Sequence, residues 1–402
     1  MGKEGRKDGK NSNPTSSVEH NLLMLFLLNA GISLSMESVN ALFPLYVESL
    51  GASILEVGLL LSVSGFLSTA LMLPSGWMSD KFGRRLMLIL SVILAAFPPL
   101  LYTQSTDWRQ LIPWAMIFSS SFAIFIPARM VYVADLTESR ERARMYGYMN
   151  LAWPIGSLFG PTVAGFLAEI FGFHYPFYFA AIVSFLSLLP ALSLTEKPIV
   201  RAKASIAPAI KETGFGISSQ ALRTLLLLTL YQLFLSAGIG TTHSLLSIYI
   251  TEVFNLDKLQ VGLFLSTVGA SLFGSQLLGG WAGSKLGLKK VMVLCLAIIP
   301  PLYILCAVSR SYEFFSIAYV GLYAAYSMTW PASVAMLMDL VDRSKWGLAT
   351  GIRQTGVRLG FTIGPALGGA LWQVYGAMAP FCASAMLITL SIFCLAFIEV
   401  KD

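Results

Sequence analysis

Uninterrupted apolar runs of helix length recur along the whole chain: LLMLFLLNAGISL begins at Leu22 and TLLLLTLYQLFLSAGIG at Thr224. A bilayer crossing takes about 20 such residues as a helix, and a soluble fold has no comparable use for run after run of them. The composition agrees, with 56% hydrophobic and 12% charged residues where a soluble domain has about 45–50% and 25%. Strands of an outer-membrane barrel would alternate over segments of about ten residues, so these continuous runs are helical. The chain is an integral membrane protein, and a water-soluble enzyme, a disordered tail protein and a nucleic-acid binder are excluded.

Successive runs place spans at 21–44, 54–78, 86–103, 111–134, 146–171, 175–194, 224–250, 258–283, 290–308, 314–339, 347–373 and 380–398. Twelve crossings of a 402-residue chain leave room for loops and tails only. Charge sets the orientation, since Lys and Arg are retained in cytoplasmic loops. The tail (Lys3, Arg6, Lys7, Lys10) and the loops that follow even-numbered spans (Lys81, Arg84 and Arg85; Arg140, Arg142 and Arg144; Lys285, Lys289 and Lys290) are basic, while the opposite loops hold Arg109, Lys258 and Arg310. Both termini are therefore expected in the cytoplasm, in a cell (plasma or inner) membrane. Residues 1–20 read as a basic tail without a cleavage signal. The cysteines Cys295, Cys306, Cys382 and Cys394 lie within spans without metal or disulfide spacing, which makes them packing residues.

A shift of 204 residues superimposes the two halves without a gap over most of their length. It pairs Gly58 with Gly262, Gly65 with Gly269, Gly76-Trp77 with Gly280-Trp281, Pro127-Ala128 with Pro331-Ala332, Asp135 with Asp339, and Gly160-Pro161 with Gly364-Pro365. A fixed offset over so many Gly and Pro positions marks a duplication. The expected architecture is an all-α membrane protein of twelve transmembrane helices in two six-helix bundles, residues 21–194 and 224–398, joined by a charged cytoplasmic linker over 195–223. A parallel duplication of this kind implies rocking of one bundle against the other around a site near the midplane.

At the basic end of span 2 stands GWMSDKFGRR, Gly76 to Arg85. Its glycines permit close helix approach and a tight turn, and Asp80 and Arg84 offer opposite charges. The segment resembles the signature loop Gly-x-x-x-Asp-Arg/Lys-x-Gly-Arg-Arg/Lys of the major facilitator superfamily, matched at each defining position. The resemblance covers about residues 20–400 and implies a cytoplasmic lock: Asp80 with an arginine near the start of span 11, Arg353 rather than Arg358, and Arg84 with Asp135. Snorkelling of both span 11 arginines toward headgroups is the plainer reading. In the second copy, GGWAGSKLGLKK, Ser284 replaces the acid, so the lock is expected to be asymmetric.

Span 5 carries Gly147, Gly156, Gly160-Pro161 and Gly165, and span 11 repeats this with Gly351, Gly360, Gly364-Pro365 and Gly369. The pattern resembles the antiporter motif of twelve-span drug/proton antiporters in that superfamily. Small residues let each helix pack closely on the other half, and the proline kinks it. Ordinary small-residue packing is the plainer alternative. Arg129 departs from the antiporter pattern, where the span 4 arginine lies deeper. Either it joins the cytoplasmic lock with Asp135 or it binds an anionic substrate group.

Asn29, Ser33, Glu37, Asn40 and Pro44 follow at intervals of 4, 4, 3 and 4, which places them on one face of span 1. A carboxylate in a span costs on the order of 3 kcal/mol unless it meets water or a partner. Glu37 is accordingly the candidate proton-coupling acid, the counter-ion for a cationic substrate, or both in competition, against the plainer reading of a structural hydrogen bond. Span 7 offers Tyr231, Gln232, Thr241, His243 and Ser244, with Thr241 matching Glu37 and His243 either a proton relay or a packed residue. Trp153, Tyr323, Tyr326, Met328, Trp330 and Met336 suggest an adaptable apolar wall or simple core. With no catalytic motif and no phosphate loop, the chain is not expected to be an enzyme or to hydrolyse ATP. The expectation is a monomer without cofactor or metal that meets membrane lipids, protons and a small-molecule substrate. Its expected work is proton-coupled efflux of small lipophilic or cationic compounds by alternating access. The alternative is proton-coupled uptake, or facilitated transport of a sugar-like solute.

Overall fold

The computed structural model describes residues 14–138, 141–195, 219–340 and 346–398. Most of the basic tail and of the 195–223 linker, together with Arg140, lies outside the described residues. Among the described residues there is no strand. Spans 1 to 4 are the helices Pro14–Ser49, Ile54–Phe82, Arg84–Tyr102 and Leu111–Leu136. Span 5 is two helices, Arg142–Asn150 and Trp153–Ile170, and span 6 is His174–Ser193. Span 7 is likewise double, Ser219–His243 and Leu246–Phe254, and spans 8 to 12 are Lys258–Leu286, Leu288–Val308, Tyr312–Leu340, Trp346–Tyr375 and Ala379–Ala396.

Ten helical segments among the described residues are long and apolar enough to cross a membrane. Spans 10 and 11, with 29 and 30 residues, match them in length but are diluted by tyrosines in the one and by Arg353, Gln354 and Arg358 in the other. The breaks in spans 5 and 7 interrupt what the apolar runs predict as continuous helices. Pro154, at the start of the second helix of span 5, has no N–H to return to the preceding turn. Before the break in span 7, the Thr241 hydroxyl donates to the carbonyl of Ala237 at 2.7 Å and that of Thr242 to Ile239 at 3.4 Å, a side-chain competition that loosens a helix end.

The 204-residue repeat reappears in local geometry. The left-handed or open φ positions pair by that offset: Gly51 (91°) with Asn255 (54°), Gly83 (100°) with Gly287 (93°), and Gly172 (104°) with Gly376 (89°). Span 2 opens on a capping box of Ser53 and Glu56, and span 8 on one of Asp257 and Gln260, again 204 residues on. Within the first six spans, 1 packs on 5 and 6, 2 on 4, and 3 on 4 and 6; the second six repeat each pairing. Two seams join the groups, span 2 to span 11 and span 5 to span 8. Outward-facing apolar side chains such as Leu189 and Ile317 are left for lipid.

The seams are tight at one end only. A Cβ on Gly262 would meet Gly165 at 3.1 Å and crowd the Pro161 carbonyl, and Gly58 meets Pro365 and Gly369 in the equivalent way. Toward the face that carries Lys81 and Arg84, here called the basic face, the positions above Gly76, Gly147, Gly280 and Gly351 are open space. The two groups of helices are thus closed at the far face and parted at the basic face.

Candidate functional site

Between the two groups lies a cavity of about 640 Å³ walled by spans 1, 2, 4, 5, 7, 8 and 10. Both broken helices end on it: Asn150 and Trp153 flank the break in span 5, and His243 and Ser244 lie at the break in span 7. Interrupted helices at mid-depth are a recurring way to present polar groups inside a membrane.

The polar stripe of span 1 divides. Glu37, Asn40 and Pro44 line the cavity. Asn29 and Ser33 instead turn away: the Asn29 amide donates to the Met149 carbonyl and the Ser33 hydroxyl to the Trp153 carbonyl, each at 2.7 Å. These two side chains hold the broken segment of span 5 against span 1, because carbonyls beside a helix break need donors that the backbone does not supply. The Trp153 side chain donates a hydrogen bond to the Glu37 carboxyl. The ion pairs among the described residues (Arg84 with Asp80 and Asp135, Arg109 with Asp107, Lys258 with Glu169) do not include Glu37.

Of the span 7 candidates, His243 and Ser244 reach the cavity, His243 with its ring 5.1 Å from that of Tyr323. Tyr231 and Gln232 are buried in the packing of span 7 on its neighbours, and Thr241 spends its hydroxyl on its own helix. Of the aromatic wall expected from the sequence, Trp153 and Trp330 line the cavity, joined by Phe43, Phe273 and Phe122, and the Phe122 ring packs edge-on against Trp153 at 5.4 Å. Met336 is buried in the core, and Met328 packs against Gly279.

At the basic face, Arg84 bridges two acids of its own half, Asp80 and Asp135, each at 3.1 Å. The expected pairing of Asp80 with Arg353 is replaced by this bridge, since spans 2 and 11 are parted at that end. Arg353 is 2% exposed and lies with its guanidinium 5.1 Å from the Trp330 ring centre. Arg358 reaches across to the other half and stands 4.7 Å over the Phe122 ring. Arg129 does not join Asp135 in a lock; it lines the cavity and donates to the Asn150 side-chain oxygen at 3.3 Å.

The glycine motifs divide in the same way. Gly156 and Gly160 let span 5 close on span 1 of the same half, with a Cβ on Gly160 meeting the Glu37 Cβ at 3.0 Å, while Pro161 and Gly165 face span 8. Gly360 and Gly364 close on span 7, and Pro365 and Gly369 on span 2. The expectation that these residues serve the contact with the other half holds for the later part of each motif only.

Two far-face contacts were missed in the sequence. Glu169 at the end of span 5 accepts from the Lys258 backbone N–H at 3.1 Å and faces its Nζ at 3.9 Å, sealing the seam with span 8 at a helix N-terminus. Glu48 of span 1 and Glu252 of span 7 meet through their carboxyls. The signal for this second contact was present, because the 204-residue offset pairs these two positions.

A profile of the Major Facilitator Superfamily matches residues 25–242 and again 228–402. The chain is 23% identical over 355 residues to the quinolone resistance protein NorA of Staphylococcus aureus (strain COL), covering 87% of this chain and 88% of NorA. It is 25% identical over 300 residues to multidrug resistance protein 2 of Bacillus subtilis (strain 168), covering 73% and 74%. Among solved structures, it resembles a bacterial homolog of the human lysosomal transporter Spinster in an inward-facing and occupied conformation. That likeness has a TM-score of 0.76 at 14% identity and covers 97% of both chains.

Proposed function

The chain belongs to the major facilitator superfamily, and from that premise we propose that it exports small lipophilic or cationic compounds in exchange for protons. The observation that carries this reading is Glu37: a carboxyl on the wall of a cavity between the two helix groups, held by Trp153 and, among the described residues, by no basic side chain. A carboxyl so placed is neutral when it binds a proton and is an attractive partner for a cation when it does not, so proton and substrate compete for one group. The homology to NorA and to multidrug resistance protein 2 supports efflux.

In this reading the basic face is cytoplasmic, as the distribution of Lys and Arg suggests, and the conformation described is the one open to the cytoplasm. Substrate enters from that side and displaces the proton from Glu37. The halves then rock: the Glu169–Lys258 contact breaks, the basic face closes with Asp80 brought to the start of span 11, and the cavity opens outward. A proton taken up by Glu37 from outside expels the substrate and resets the carrier.

Reconstitution of the wild type and Glu37→Gln into liposomes with an imposed pH gradient tests the reading, with lumenal pH followed while lipophilic cations, neutral drugs and sugars are added. Substrate-triggered proton flux in the wild type and its loss in Glu37→Gln are expected. Full gradient-driven transport by Glu37→Gln would sink the coupling role.

A further inference from the structure

We propose that the central cavity contains a subsite for an organic acid group, formed by Arg129 with Asn150 and backed by Arg353 and Arg358, so that the compounds carried include aromatic bodies bearing a carboxylate. The proposal rests on the reading of this cavity as the transport site and adds an acid group to the chemistry it accepts.

The argument is one of charge. Among the described residues, Glu37 is the one acid on the cavity wall and Arg129 the one arginine. One ring behind the wall stand two more: Arg353 against Trp330 and Arg358 against Phe122, both rings being wall residues. None of the three arginines takes part in the ion pairs among the described residues. Arg353 is 2% exposed, and its Nε and Nη1 are without a hydrogen-bond partner. Unlike a lysine, an arginine does not escape burial by losing its proton, and a buried guanidinium without an anionic partner keeps its desolvation cost uncompensated. Three cations against one acid leave the region short of negative charge, and an acidic ligand supplies it.

The geometry also says which side takes the acid. Trp153 holds Glu37, Phe122 packs on Trp153, and Arg358 lies over Phe122, so an aromatic layer separates the acid from that arginine. One arm of Arg129 is engaged by Asn150. A guanidinium has five donors in a fork that matches a carboxylate, and the Asn150 amide adds another donor beside it. Phe122, Trp153 and Trp330 provide faces on which a flat apolar body lies. A basic nitrogen toward Glu37 is compatible with this arrangement but is not needed by it.

The test is equilibrium binding of radiolabelled 2-naphthoate, its methyl ester and 2-naphthylmethylammonium to the purified full chain at fixed ionic strength, in the wild type, Arg129→Gln and Arg129→Lys. Naphthoate is expected to bind about tenfold or more tighter than the ester, as a charge-assisted pair requires. Arg129→Gln should lose that margin while keeping its affinity for the ester and the ammonium, which shows the cavity intact. Arg129→Lys, with the charge but not the fork, should retain part of it. Equal binding of acid and ester, an unchanged naphthoate affinity in Arg129→Gln, or displacement of naphthoate by equimolar inorganic phosphate would overturn the proposal. The two readings fail separately. Arg129-dependent naphthoate binding without proton flux in liposomes keeps the acid subsite and removes antiport; proton flux driven by the ammonium alone, with no naphthoate binding, does the reverse.

Discussion

Glu48 and Glu252 occupy equivalent positions of the two repeats and meet carboxyl to carboxyl across the far face. Two carboxyls in hydrogen-bonding contact must hold at least one proton between them, and Glu252 is the charged group that acts on Glu48 there. Basic groups of the neighbouring spans are engaged elsewhere: His174 lies against the Tyr46 ring, and Lys258 against Glu169 and the Phe173 ring. The closed far face therefore holds a proton that the parted carboxyls release, and by linkage closure is favoured as pH falls. Spin-label distances between the far ends of spans 1 and 7 should shorten on going from pH 8 to pH 5.5 in the wild type. The double variant Glu48→Gln, Glu252→Gln should show the short distance at both values. A wild-type distribution indifferent to pH would refute this.

Closure of the far face also depends on bare backbone at Gly165, whose Cβ position lies 3.1 Å from the Cα atoms of both Gly262 and Leu259. Gly165→Val should hold spans 5 and 8 apart without preventing insertion. The expected result is normal membrane expression with transport lowered at least about tenfold, since a seam shifted by an ångström or more loses its packing. Cysteine cross-linking across the far ends of these spans measures it, and unchanged cross-linking would show the contact to be dispensable.

In the conformation described, Asp80 is bound to Arg84 on a surface where the two acids' side chains are 58% and 52% exposed. Such pairs contribute about 0–1 kcal/mol, so Asp80→Asn should leave the melting temperature nearly unchanged. Transport should nevertheless slow, because in the proposed cycle the opposite conformation brings Asp80 against span 11. Distances across the basic ends of spans 2 and 11 should show the closed population reduced. A large loss of thermal stability with unchanged populations would assign Asp80 to the fold instead of the cycle.

Asn29 and Asn40 share one predicted face of span 1 but have opposite environments. Asn29 is fully buried on the Met149 carbonyl, and Asn40 is exposed to the cavity. Asn29→Leu should lower stability by about 1–3 kcal/mol, the cost of stranding a buried carbonyl, and leave ligand affinity within about twofold. Asn40→Leu should do the converse. Thermal unfolding and ligand binding of the two variants side by side check the pair.

Much of the site was legible from the order of residues. Periodicity put Glu37 on a polar face, and the cavity wall includes it. The same periodicity could not separate Glu37 from Asn29 and Ser33, because a helical face is about 100° wide and the direction in which span 5 crosses it is not written locally. Arg129 and His243 stand out in the sequence as isolated ionisable residues within spans, but the partners that give them meaning, Asn150 and Tyr323, lie 21 and 80 residues away. Glu169 and Lys258 stood at the ends of predicted spans with no local sign that the two ends touch.

The sequence by itself determined the class and the symmetry of this protein. Apolar runs admit no other solvent than lipid, and one fixed offset carried the glycines, capping boxes and positive-φ turns of the first half into the second, since each of these depends on a few neighbouring residues. Tertiary structure alone decided which face is closed, where spans 5 and 7 break on the cavity, and that Arg84 rather than Arg353 holds Asp80. Those outcomes depend on how two helix groups are placed relative to each other, and a placement set by contacts between residues far apart in the chain cannot be read from the local chemistry of either group.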